Sequence, residues 1–371
     1  MDRSADKLKY FKGSLLAGAV GDALGYAVEF DRYSVITRKY GAKGIRSYES
    51  EEGKAVISDD TQMTLFTANG LLYWDTASSL RGVASSPSAY VYLAYLDWLT
   101  TQGFAKPYKT RNVCWLLNVP ELFHPRAPGG TCLSSLSSGK AGSVEKPINE
   151  SKGCGAVMRI APFGLFFGSL LKRSPKKFLC ESMEIGAITH GNPMSHLSCA
   201  LASAIIADII YGECESIEKA TKDSLSLVGE FTSFSVFEEF SKLIERALEL
   251  SKNDRPDEEN IRVLGEGWVA EEAIAIAVYC SCKYQNDLTE GIIAAVNHNG
   301  DSDSTGAITG NILGAWNGVD AIPEEYLKDL ELVDVIEEIA TDLSTGCPMK
   351  NDGDYDADWG EKYIKLKRRD D

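Results

Sequence analysis

Apolar positions recur at helical spacing along most of the chain, and alternating strand-type patterns are few. The spacing predicts a helix over Lys12–Val28, a second over 56–74 with Ser58, Asp59, Asp60 and Thr61 in its first turn, and a third over 88–99. It predicts further helices over 236–251, 265–284, 287–298 and 324–343, and a long one closing the stretch 188–212, where a turn carries His190 and the helix start carries His196. Arg32–Lys54 reads as loop, and 102–153, rich in Pro, Gly and Ser, as a long one; a loop of that length in a compact domain is usually functional or disordered. It ends in GCGAVMRIAPFGLFF, a glycine-rich turn leading into a helix whose free amides suit a phosphate. No predicted strand precedes the turn, so a Rossmann nucleotide site is not expected. The pattern describes one all-α domain over residues 1–345, with its acid-bearing turns at one end. The remainder, 346–371, lacks apolar periodicity and is expected to be a flexible tail.

Two of the predicted helices combine carboxylates with almost no side-chain bulk. In VNHNGDSDSTGAITGNILGAW (296–316), Asp301 and Asp303 stand among Ser302, Ser304 and Thr305, and small residues follow at helical spacing. Capping explains one Asp and one Ser there. The whole set of acidic and hydroxyl oxygens is what a hard divalent cation selects. An EF-hand is excluded, because Ile312 stands where the bidentate Glu belongs. Asp22, among Gly21, Ala23 and Gly25, either caps a neighbouring turn or faces a site, and the structural role is favoured. Asp59 and Asp60 alone would be explained by capping and the helix dipole. Four carboxylates from two turns brought together would raise one another's pKa values unless cations neutralised them, and two metals roughly 4 Å apart are a recurring solution.

Composition narrows the function further. A net charge of −16 gives the wrong electrostatic sign for a general nucleic-acid or anionic-membrane binder. The nine cysteines are scattered and without a zinc-ligand pattern, and they suit reduced thiols in a cytoplasmic protein. Asp22 interrupts the apolar run near the N-terminus, which argues against a signal peptide, and no stretch approaches the roughly 20 uninterrupted apolar residues of a membrane span.

GDALGYAVEF, SDDTQM, RAPGG, GCGAVMR, ITHGNP and NGDSDSTGAITG occur in the order found in the ADP-ribosylglycohydrolase family, which the chain resembles from about Lys12 to Trp316. The resemblance implies an orthogonal all-α fold with a binuclear magnesium centre, manganese in some members, that holds the terminal ribose hydroxyls of an ADP-ribosyl group during hydrolysis at its anomeric carbon. By motif, Ser58, Asp59, Asp60, Asp301, Asp303 and Ser304 would be the metal ligands, with Ser where other members carry Thr at the first and last positions. Glu29 would lie near the metals, and the proton-handling carboxylate would be one of Glu29, Asp59, Asp60 and Asp303. Gly129, Gly130, Gly153, Cys154 and Gly155 would let the backbone approach the pyrophosphate and proximal ribose, and His190 would bond a phosphate oxygen. RAPGG, GCGAVMR and DSDST look more like the arginine-directed branch than the serine- or poly-directed one. The resemblance therefore implies an enzyme, expected to be monomeric, acting on an ADP-ribosylated protein or small molecule. Competing readings are hydrolysis of serine-linked or other ADP-ribosyl compounds, another metal-dependent hydrolase, and a non-catalytic ADP-ribose-binding or structural relative.

Overall fold

Two helices built of small residues lie at the centre and touch backbone to backbone. The first helix, Lys7–Tyr26, runs antiparallel to the DSDST helix, Ser302–Asn317. A Cβ added to Gly13, Gly21 or Gly25 would stand 2.5, 2.1 or 2.2 Å from the carbonyl oxygens of Gly314, Gly306 and Ser302. Gly310 continues the register, where an added Cβ would stand 2.0 Å from the carbonyl oxygen of Ala17. Steps of four place these residues on one ridge of each helix. Any larger side chain would part the two backbones. The first helix, buried nearly all round over its second half, therefore delivers Asp22 and the turn carrying Glu29 to the start of the DSDST helix.

The computed structural model describes residues 3–49, 53–82, 85–348 and 356–366. Among them are seventeen α-helices and no β-strand, with only two isolated bridges, Ala55 to Leu330 and Gly153 to Val269. The all-α expectation holds. Several boundaries differ. Arg32–Lys54 contains the helix Tyr33–Tyr40, and the long segment 102–153 contains the helix Gly130–Ser137 and two 3-10 turns. Pro175–Ala187, Ile217–Phe231 and Asp257–Leu264 are further helices that periodicity did not isolate. The glycine turn forms a 3-10 turn, Cys154–Ala156, and the α-helix after it starts only at Ala161, ahead of Pro162.

The predicted helix 324–343 is broken into Glu324–Asp329 and Val333–Thr345 at Leu332, whose φ is 60°. The break answers to the segment leading into SDDT. Ala55 N–H donates to Asp329 O at 2.7 Å, Glu331 N–H donates to Ala55 O at 3.0 Å, and the Glu331 carboxylate accepts the Ile57 N–H at 3.1 Å. An unbroken helix would withdraw those groups.

The tail needs a correction within its described part. Ala357–Tyr363 is a docked helix, not a loose end: Tyr363 is fully buried, its hydroxyl donates to Asp342 at 2.6 Å, and the Trp359 indole donates to Thr76 at 2.8 Å. Two aromatic anchors in a short polar stretch were too few to register as a period. Residues 349–355 and 367–371 of that expectation lie outside the described residues. Pro193–Tyr211 is long and apolar enough by composition to cross a membrane, and 89% of its most apolar window is packed inside the fold as core. All nine cysteines are unpaired.

Candidate active site

Asp22 builds the site from behind. Its carboxylate accepts the N–H groups of Ser58 and Thr61, each at 3.0 Å, and the Thr61 hydroxyl. It thereby caps the start of the SDDT helix, Asp59–Arg81, from the neighbouring first helix. That is the structural alternative for Asp22. Ser58 caps the same helix from within, its Oγ accepting the Asp60 N–H at 3.2 Å. Asp301 caps the DSDST helix by accepting the Ser304 N–H at 3.2 Å. Two helix N-termini are thus pinned side by side, each carrying its acids into one space.

That space is a cleft of about 170 Å³. Glu29, Asp59, Asp60, Asp301, Asp303 and Ser304 line it together with Gly129, Gly130, Gly153, Cys154, Gly155 and His190. Ser58 is fully buried behind Asp60 and does not line it. The fold therefore gathers twelve of the thirteen positions predicted from sequence, Ser304 among them, into one cleft and leaves Ser58 beneath it beside Asp303.

The glycine side is less open than expected at one position. The Gly129 N–H is already used, donating to Asp59 Oδ2 at 3.1 Å, so RAPGG holds the acid in place instead of offering that amide. Asp59 N–H returns a bond to Arg126 O at 3.1 Å. Gly130, where an added Cβ would meet nothing within 4 Å, keeps its backbone open to the cleft. At Gly155 an added Cβ would come within 3.0 Å of the His190 ring, so this glycine lets the imidazole reach the cleft. The Cys154 thiol lies 2.8 Å from Asp301 Oδ2 and donates to it. Burial and the adjacent acids push that thiol well above its ordinary range, so it is a neutral donor and not a nucleophile.

Burial dominates the electrostatics. It pushes Glu29 up to about 10 and Asp22 up to about 7, with the Asp303 charge adding to both. Asp59, Asp60 and Asp301 are pushed well up for the same reasons, and Asp303 is also raised, chiefly by burial. Glu29 Oε2 and Asp60 Oδ1 are buried without a hydrogen-bond partner. His190 goes the other way, to about 3, because burial and the Arg159 charge oppose its protonation.

Arg159, from GCGAVMR, was not singled out by sequence reasoning. It is fully buried, donates to Thr189 Oγ1 at 2.6 Å and to the sulfurs of Met63 and Cys132 at 3.0 and 3.2 Å, and stacks on Tyr95. Thr189 Oγ1 is 2.9 Å from His190 Nδ1, which links the arginine to the cleft. His196 has a structural place, its Nε2 2.8 Å from His190 O. His298 was also missed: it lies 2.9 Å from the hydroxyl of Thr305, in the first turn of the DSDST helix.

The sequence model of the ADP-ribosylglycohydrolase family matches residues 3–353. The chain belongs to the ADP-ribosylglycohydrolase family. It is 28% identical over 339 residues to an uncharacterized protein of Archaeoglobus fulgidus, covering 90% of this chain and 95% of that one. It is 26% identical over 325 residues to the ADP-ribosyl-[dinitrogen reductase] glycohydrolase of Rhodospirillum rubrum, covering 86% and 90%. It is also 26% identical over 375 residues to the ADP-ribosylhydrolase ARH3 of Danio rerio, covering 91% and 90%. A solved structure titled as an ADP-ribosylglycohydrolase-related protein complex shares the fold, with a TM-score of 0.60, 20% identity, and coverage of 92% of this chain and 99% of that one.

An ADP-ribosylglycohydrolase of this family is implied to carry divalent metals, and the donor chemistry here fits them. The acid wall offers oxygen ligands only from Asp59, Asp60, Asp301, Asp303 and Ser304, the choice of magnesium or manganese. Buried carboxylates that raise one another, with an oxygen of Asp60 left unpartnered, need positive charge beside them. Among the described residues no three His, Cys, Asp or Glu side chains are drawn into a ready-made metal shell. The fit is therefore one of donor type and charge.

Proposed function

We propose that this ADP-ribosylglycohydrolase removes ADP-ribose from a modified protein side chain, arginine first, by hydrolysing the bond at the anomeric carbon. The observation that carries the reading is the one cleft lined by the carboxylates together with the glycine turns and His190. The printed names of the relatives, a glycohydrolase acting on ADP-ribosyl-dinitrogen reductase and an ADP-ribosylhydrolase, support the reaction class.

Asp59, Asp60, Asp301, Asp303 and Ser304, with Ser58 beneath them, would hold two magnesium ions, or manganese. Bound there, the ions would supply charge neutralisation, anchorage for the ribose hydroxyls and acidification of bound water. The chain's own residues do the rest. Asp22 fixes the turn bearing Asp59 and Asp60 by accepting the Ser58 and Thr61 N–H groups, and the Gly129 N–H donates to Asp59. Arg159 fills an acceptor position of Thr189 Oγ1, which leaves the hydroxyl proton for His190 Nδ1. The neutral imidazole then keeps its proton on Nε2, a donor for a phosphate oxygen. We assign proton transfer at the leaving atom to Glu29, since it lines both this cleft and the adjoining one and has an unpartnered oxygen.

Incubation with an ADP-ribosylated arginine peptide should release free ADP-ribose and the unmodified peptide, resolved by chromatography. An intact modified peptide after prolonged incubation with magnesium would overturn the proposal.

A further inference from the structure

Beyond Glu29 the acid cleft meets a second, wider one of about 600 Å³. The two share Glu29 and Trp268. The second is lined by four acids, Glu29, Asp31, Glu258 and Glu266, against one base, Arg32. Its aromatic wall is a stacked pair, Phe30 and Trp268, with ring centroids 6.1 Å apart and planes 20° from parallel. Both rings face water: Phe30 is 75% exposed and Trp268 39%. Packing does not account for this, because a stacked aromatic pair left in solvent forgoes the burial that ordinarily stabilises it.

The position of the wall is fixed by backbone. Trp268 O accepts the Cys154 N–H at 3.2 Å, and Ala270 N–H donates to Lys152 O at 2.8 Å, so the indole is tied to the glycine turn of the acid cleft. Phe30 follows Glu29 directly at the end of the first helix's turn. Glu29 itself is 7% exposed, with Oε2 unpartnered. A planar cation suits these surroundings: it stacks on aromatic faces and takes carboxylates at its edge. A neutral hydroxyl can donate to a carboxylate but brings no charge and no stacking face, and a phosphate is repelled.

We propose that this second cleft is the leaving-group subsite, and that Phe30, Trp268, Glu258 and Glu266 recognise the guanidinium of the ADP-ribosylated arginine. This deepens the function proposed above and rests on it for the identity of the substrate. Glu29 lines both clefts, which puts the proton-handling carboxyl where sugar and side chain would meet. Selectivity follows from charge: an arginine-linked substrate brings a cation to the three carboxylates Asp31, Glu258 and Glu266, and a serine-linked one does not.

Two measurements test it. The first needs no turnover: methylguanidinium is titrated into the protein while the Trp268 indole N–H resonance, assigned with Trp268→Phe, is followed, and isosteric, uncharged N-methylurea serves as control. A saturable shift with methylguanidinium alone, weakened about 10-fold in Glu258→Gln/Glu266→Gln, is expected. No shift, or equal shifts with both probes, would overturn the subsite. In the second, the ratio of kcat/KM for arginine-linked over serine-linked peptide should fall about 10-fold in the same double variant, mostly through KM for the arginine peptide. An unchanged ratio in an active, folded variant would also overturn it. A wild-type protein that cleaves neither peptide would refute the proposed function instead, and the methylguanidinium titration would still decide the cation site.

Discussion

Gly21 and Gly306 face each other so closely that a Cβ on Gly21 would stand 2.1 Å from the Gly306 carbonyl oxygen. That contact sets the distance between the turn bearing Glu29 and the helix bearing Asp301 and Asp303. Gly21→Ala must therefore move a backbone, and overpacking of this kind costs about 1–3 kcal/mol or more. Urea unfolding should show the loss, and activity should fall further than stability, because the displacement runs straight to the acid wall. A variant with wild-type stability and turnover would contradict the close-packed register.

Asp22→Ala removes the acceptor for the Ser58 and Thr61 N–H groups, and two buried donors lose their partner. The expected cost is about 1–3 kcal/mol for the unsatisfied groups. Turnover should drop as well, since Asp59 and Asp60 ride on that turn. Asp22→Asn should recover only part of either loss, because half of its amide presents donors to donors. Thermal denaturation and steady-state kinetics of the two variants check this.

Asp303→Asn keeps the shape of the side chain and removes the charge that helps push up Asp22, Glu29, Asp60 and Asp301. Turnover should fall at least about 100-fold if this carboxylate serves the metal site. In EDTA the variant should be as stable as wild type or more so, by about 1 kcal/mol, as is common where a functional site is held under strain. Calorimetry in EDTA beside a rate assay in magnesium separates the two effects; a destabilised but active protein would contradict both.

His190 is held near 3 in the folded protein, well below its ordinary value, by burial and by Arg159. Between those two values the unfolded chain binds a proton at this position that the folded chain does not. Stability contributed by neutral His190 is therefore complete above about pH 6.5 and lost progressively toward pH 3, at about 1.4 kcal/mol per pH unit. His190→Gln should flatten the acid side of the stability profile by that slope, measured by urea unfolding from pH 7 down to pH 4.5. An unchanged slope would show that His190 is protonated in the fold.

Much of this was legible in the sequence because its signals are local. Small residues at intervals of four announced two closely packed helices, and SDDT and DSDST announced two acid-bearing N-termini; the fold sets these side by side. What escaped depends on partners distant in the chain. The break at Leu332 answers to Ala55 and Ile57, and nothing between 324 and 343 marks it. Gly129 looked like a ligand-facing amide until Asp59, far upstream, was seen to take its proton. Arg159 carries no local signal of its own within GCGAVMR, and its role appears only when Thr189 and His190 arrive from another turn. Phe30 and Trp268 were not paired because both sit in loops, Trp268 just ahead of the helix Ala270–Lys283 that the pattern began at 265, and they meet only through the fold.

The most direct test of the central claim is release of free ADP-ribose from arginine-linked and serine-linked peptides, each with magnesium and with EDTA. The account predicts magnesium-dependent release from the arginine-linked peptide, abolished by EDTA and restored by added magnesium. Release that is untouched by EDTA, or no release from either peptide with magnesium present, would contradict it.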